Sequence, residues 1–126
     1  MYNVLGMREK IKSFTDLNAW REAHKLVLLV YKVSRKFPKE EIYGLTVQIR
    51  WSVVSVTSNI AEGFSRRTVK EKIQFYFQAL GSLTEVQNQI IVARDLRYLF
   101  EKDFLKIASQ TVVAQKLING MIKRIR

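Results

Sequence analysis

The sequence predicts an all-α fold, an antiparallel up-and-down four-helix bundle. Two observations carry that reading. The chain has one Pro and five Gly in 126 residues, too few punctuating residues for a turn-rich fold. Its apolar residues also recur at spacings of three and four, the period of a helix with one buried face.

A basic tail is expected over residues 1–13, followed by one bundle domain over 14–126. The first helix is expected near residues 17–36, with Trp20, Ala23, Val27, Val30, Ser34 and Phe37 as its core stripe. At ~100° per residue, Arg21, Lys25, Lys32, Lys36 and Lys39 fall on the opposite side, with Arg35 beside them. Leu28 and Leu29 sit on or next to that cationic face and point to a subunit contact.

The second helix, near 41–62, has an apolar stripe of Ile42, Leu45, Ile49, Val53, Val56 and Ile60. Beside it runs a polar stripe, Gln48, Ser52, Ser55, Asn59 and Glu62, whose small hydroxyls suit a close, hydrogen-bonded helix seam. The third helix, near 68–98, opens on Thr68-Val69-Lys70-Glu71, a capping-box pattern. Ile73, Tyr76, Leu80, Leu83 and Ile90 form one apolar row and Phe75, Ala79, Val86 and Ala93 another, so this helix needs neighbours on more than one side. Gly81 costs about 1 kcal/mol relative to Ala in mid-helix, which predicts a close backbone contact there. The fourth helix, near 101–125, places Phe104, Ile107, Ala108, Val112, Ile118, Met121, Ile122 and Ile125 inward. It ends in Lys123, Arg124 and Arg126, cations that also suit a helix C-terminus.

The segment NIAEGFSRR, residues 59–67, concentrates polar groups between two helices. A hairpin turning near Ser65 makes Gly63 the helix stop and Ser65 or Thr68 the next cap. It brings Asn59 near Glu71 and Gln48 near Ser82. Gln48, Ser55, Asn59, Glu62, Glu71, Ser82 and Glu85 then form a structural polar clasp, and Arg66 and Arg67 stay exposed at the tip.

Several chemistries find no support. With no Cys, disulfides, thiolate nucleophiles and Cys-ligated metals are excluded. His24 is the sole His and flanks the core stripe. Glu62, Glu71 and Glu85 therefore lack the Glu-x-x-His partners of a di-iron bundle, and a Ser-His-Asp triad is equally disfavoured. Gly-rich phosphate loops do not occur. No catalytic residue, metal or cofactor is expected. The longest apolar run, Leu26–Tyr31, is too short to span a bilayer, and no secretory signal is read at the N-terminus, so a cytoplasmic location with no membrane contact is expected.

The net charge is +11. Residues 1–39 hold nine Lys/Arg against three acids, 40–101 seven against seven, and 102–126 six against one. A neutral middle between basic ends predicts a polyanion-binding surface made of Arg21, Lys25, Lys32, Arg35, Lys36, Lys39, Lys123, Arg124 and Arg126. The competing reading is a solvated face with no partner.

The stretches FTDLNAW, KFPKEEIYGLTVQIRWSVVSVTSNIAEGFSRR, KEKIQFYFQALGSLTE and LRYL resemble the four-helix bundle proteins encoded in intervening sequences of bacterial 23S ribosomal RNA genes. The likeness covers roughly residues 14–100. Trp51 departs from it, since a second Arg after Arg50 is more usual there. The resemblance implies an up-and-down bundle that assembles as a ring-like homopentamer. It is also similar in type to the accessory variability proteins of diversity-generating retroelements, basic pentameric barrels that bind a reverse transcriptase and nucleic acid.

Two functions compete on this basis. One is a non-catalytic homo-oligomeric scaffold that binds nucleic acid through phosphate contacts. RNA is favoured, with DNA or an RNA/DNA hybrid as alternatives, and a reverse transcriptase is the added partner in the retroelement version. The other is a protein-interaction module with an acidic protein partner and no nucleic acid. Aromatics are few among the basic residues, so base stacking is not expected.

Overall fold

The structure is a computed structural model and describes residues 10–126. The basic tail expected over 1–13 lies, through residue 9, outside the described residues, and its end is already folded. Ser13 Oγ accepts a hydrogen bond from the Thr15 N–H at 3.2 Å, and Asp16 Oδ2 accepts from the Ser13 N–H at 3.1 Å, capping a 3-10 turn at Phe14–Asp16.

Four helices follow: α1 Asn18–Ser34, α2 Leu45–Ser65, α3 Val69–Asp95 and α4 Glu101–Ile125. Each packs against its neighbours in the chain, and α1 closes on α4, so the four form an up-and-down bundle. Two boundaries depart from the expected ones for local reasons. Past Pro38 the chain makes a 3-10 turn at Lys39–Glu41, so α2 begins only after Gly44, where Glu41 Oε1 accepts from the Leu45 N–H at 3.4 Å. Ile42 therefore lies outside α2 and is exposed, not part of the core stripe. At the other connection Arg97 takes φ 65°, the left-handed conformation usually given to Gly. The Tyr98 N–H then reaches back to the Ala93 carbonyl at 2.9 Å, which ends α3 at Asp95.

The core is a continuous stack. Ala23, Leu26 and Val30 of α1, Ile49, Val53, Val56 and Ile60 of α2, Ala79, Leu83, Val86 and Ile90 of α3, and Ile107, Ala114 and Ile118 of α4 are all buried. Leu26 takes the central place expected of Val27, which is only half-buried, and Val112 of α4 is exposed while Thr111 is buried. Both apolar rows of α3 pack into its own chain, between α2 and α4, except Phe75, which lies under Arg66. Leu29 also packs against the core, whereas Leu28 is 58% exposed.

The expected register of the α2–α3 hairpin is wrong by about two helical turns. α2 runs through Gly63 to Ser65, so the turn centres farther along the chain. Ser82 meets Ser55 at 2.8 Å instead of Gln48, and Glu85 Oε2 accepts from Ser52 Oγ at 3.2 Å. Gly63 is no helix stop. It is buried inside α2, and a Cβ there would stand 2.6 Å from Tyr76 Cε1 and 3.1 Å from Phe75 Cβ. The freed carbonyls at the end of α2 are met by Lys72, whose ammonium donates to Phe64 O at 2.7 Å and Gly63 O at 3.3 Å.

Gly63→Ala should therefore lower stability by about 1–3 kcal/mol in chemical unfolding, because the Tyr76 ring is buried and has little room to retreat. Gly81 contradicts its expected close contact, since nothing lies within 4 Å of a Cβ placed there. If that surface is free, Gly81→Ala should raise stability by about 1 kcal/mol in the same assay. A loss of stability or of assembly would show that a second chain approaches at Gly81.

Candidate nucleic-acid interface

The antiparallel arrangement brings the basic first and last helices side by side. Gln110 Nε2 of α4 donates to Glu22 O of α1 at 2.8 Å and to its Oε1 at 3.3 Å, tying the two together. Along this seam the cations gather in two groups. Near the start of α1, Arg21 and Lys10 share a concavity with Arg124, and Lys25 lies beside Arg21 and Leu117. Near its end, Lys32 and Lys36 line a crevice with Lys106 and Asp103.

The two groups differ electrostatically. Arg21 lies 3.8 Å from Asp16 and donates from Nε to the Thr15 carbonyl at 3.0 Å, and Lys25 lies 2.7 Å from Glu22. Of the cations expected along the α1 face, the first two are thus paired with acids. Backbone N–H groups of Lys12 and Ser13 hold the Asp16 carboxyl below its ordinary range, and hydrogen bonds from Lys25 and Gln110 do the same for Glu22. Lys32, Arg35, Lys36 and Lys39 are exposed and form no ion pair among the described residues. Lys123 and Arg124 are exposed as well, whereas Arg126 turns toward α3, its guanidinium 5.8 Å from the Phe77 ring centre.

The expected surface does not include Lys106, which lines the same crevice as Lys32 and Lys36. That residue sits in the second turn of α4, far along the chain from Lys32, and only the α1–α4 pairing brings them together. The signal available was the six-to-one excess of cations after residue 101.

The polar clasp exists in altered form. Gln48, Ser55, Ser82 and Glu85 line one cleft on the α2–α3 seam. Asn59 joins it only through Ser55, donating from Nδ2 to its carbonyl at 2.9 Å and its Oγ at 3.1 Å, and forms no bond to Glu71. Glu71 is exposed and contributes its backbone N–H to the Thr68 cap at 3.1 Å. Glu62 belongs to the helix end, paired with Arg66. Arg66 also lies 4.7 Å from the Phe75 ring centre and is half-buried, so of the two arginines only Arg67 stays fully exposed at the tip. His24 stacks on Trp20, ring centres 4.7 Å apart, as a packed His.

These features define a small helical bundle with a basic flank, and among the described residues no helix is long and apolar enough to cross a membrane. The model of the 23S rRNA-intervening sequence protein family matches residues 15–120, and the chain belongs to that family. The bundle is similar to the crystal structure of a protein of unknown function from the S23 ribosomal protein family of Bacteroides thetaiotaomicron VPI-5482. That likeness has a TM-score of 0.77 at 17% identity and covers 83% of this chain and 95% of the other, which supports the fold alone. No curated protein matches the sequence.

The depressed Glu22 carboxyl makes a signed prediction. Its contribution to stability should be fully present above its ordinary value of 4.5 and be lost as pH falls below it. The difference in melting temperature between the parent protein and Glu22→Gln should be positive near neutral pH and shrink as pH falls below 4.5.

Proposed function

We propose that this protein is a non-catalytic, basic, homo-oligomeric scaffold that binds RNA by phosphate contacts along the α1–α4 flank. The observation that carries this reading is the crevice lined by Lys32, Lys36 and Lys106, with Asp103 as the one acidic residue in its lining. Three lysines against one acid in that lining leave a local surplus of positive charge that a polyanion relieves, with release of its counterions. Lysines act as point charges, so binding selects backbone over base sequence. A ring of such subunits, a pentamer by the family resemblance, multiplies the surplus and makes binding strong and salt-sensitive. In the retroelement version of this reading, the scaffold also holds a reverse transcriptase.

Replacing Lys32, Lys36 and Lys106 together by Gln removes three charges from exposed positions, two of them in helices and Lys36 in the turn after α1. Fold and assembly should survive, as judged by circular dichroism and light scattering. Affinity for unrelated RNAs should fall together, and the slope of log affinity against log salt should become shallower by about 0.7–0.9 for each phosphate that is no longer neutralised. Arg67→Gln with Lys70→Gln, at the opposite end of the bundle, is the fitting control and should do less. Lys72 and Arg94 are unsuitable for that purpose, because Lys72 caps α2 and Arg94 is paired with Asp95. Unchanged affinity and slope in the lysine triple variant would remove the flank from RNA binding and favour an acidic protein partner.

A further inference from the structure

The cleft on the α2–α3 seam has the opposite character from the basic flank. It measures about 350 Å³ and is lined by Trp51, Ser52 and Ser55 from α2 and by Ser82, Glu85 and Gln89 from α3. Gln48 of α2 also lines it, so the cleft holds one carboxylate, two side-chain amides and three hydroxyls. Ser52 Oγ has one proton, placed between two acceptors, the Gln48 carbonyl at 2.9 Å and Glu85 Oε2 at 3.2 Å. Ser55 Oγ receives the Asn59 amide and shares one proton with Ser82. Glu85 forms no ion pair among the described residues, although the chain carries +11. Gln89 Oε1 is shielded from solvent and accepts no hydrogen bond among the described residues. A buried acceptor without a donor is uncommon enough to require a partner, and Glu85 lies on the same helix face four residues earlier. At the rim stands Trp51, 73% exposed, an indole that contributes almost nothing to the core.

We infer that this cleft is a guanidinium-binding site. One carboxylate, one orphaned amide oxygen and one aromatic face form a set that a flat, multiply donating cation satisfies and few other groups do. A guanidinium presents five N–H donors in a plane, so it donates in-plane to the Glu85 carboxylate and the Gln89 oxygen while laying its face on the Trp51 ring. It is also more weakly hydrated than an ammonium, which favours it over lysine in a half-open cleft. Phosphate and carboxylate ligands are disfavoured, because the cleft has no cation to meet them.

Two sources share this chemistry: a small guanidinium solute, and an arginine side chain presented by another polypeptide. Agmatine and a blocked Ala-Arg-Ala peptide serve as probes, followed by Trp51 fluorescence and by calorimetry on the intact protein. The Trp51→Phe variant isolates the signal of Trp20, which is stacked on His24. Saturable binding is expected with a Kd on the order of 1 mM for the better of the two probes. Glu85→Gln should weaken binding by about tenfold or more, the lower bound for a charge-assisted hydrogen bond. Glu85 is exposed, so the fold should tolerate that change. Gln89→Leu should weaken binding and Gln89→Glu should tighten it, a pair of opposite responses that a general loss of structure would not produce. Tetramethylammonium, which has the charge but no N–H, should bind more weakly than either probe. Tighter binding of the peptide assigns the site to an arginine on a partner chain, and tighter binding of agmatine assigns it to a free solute. The inference is overturned if neither probe saturates, if Glu85→Gln binds as well as the parent, or if tetramethylammonium competes equally.

Discussion

The bundle depends on how closely α2 approaches α3. Gly63 sits against the Tyr76 ring with no room for a methyl group, and from that point the hairpin is registered along its length. Ser55 then meets Ser82, Ser52 meets Glu85, and the apolar residues Ile49, Val53, Val56 and Ile60 face Ala79, Leu83, Val86 and Ile90. The small side chains let the helices come close, and their hydroxyls use the proximity to satisfy one another. A slip by a helical repeat would place a side chain under the Tyr76 ring and separate the serine pairs. Register here is decided by one steric contact, with the hydrogen bonds following it.

With that hairpin set, α1 and α4 pack on its two sides and close on each other. The closure gives the charge map its functional sense. Two basic segments at opposite ends of the sequence become one flank, while the balanced middle becomes the other. Among the described residues the α1 cations that form ion pairs are those near its start, where hydrogen bonds and neighbouring cations hold Asp16 and Glu22 ionised. Toward the other end Lys32, Lys36 and Lys106 line one crevice with Asp103 and form no ion pair among the described residues. A single bundle thereby puts its basic flank on one helix pair and its serine-glutamate seam on the other.

One end of the bundle has a different texture. Tyr43 is 92% exposed and Phe100 75% exposed, on the two connections that adjoin there through the bond from Tyr98 Oη to Glu41 Oε2 at 3.3 Å. Burial raises the Tyr98 hydroxyl pKa, and the neighbouring Glu41 carboxylate adds to the effect. Along the chain the cations have few aromatic neighbours, but neighbours in space are another matter. Lys36 and Arg97 line a shared concavity with Phe100, because two loops far apart in sequence fold together.

The sequence by itself determined the number of helices, their amphipathic faces, most of the buried residues and the concentration of charge at the termini. All of these are properties of one segment, set by a period of about 3.6 residues and by local capping such as Thr68 on the Glu71 N–H. It also placed Gln48, Ser55, Ser82 and Glu85 along a common seam, since small polar residues at helical spacing mark a close approach. What only the tertiary structure decided was the pairing: Ser82 with Ser55, Lys106 beside Lys32, and Asn59 and Glu71 apart. Periodicity specifies which face a residue occupies but is blind to translation along the helix axis, because a shift by two turns preserves every apolar face. The choice among such registers falls to individual steric contacts. Here that contact is Gly63 against Tyr76, two residues whose adjacency exists only once the chain has turned back on itself.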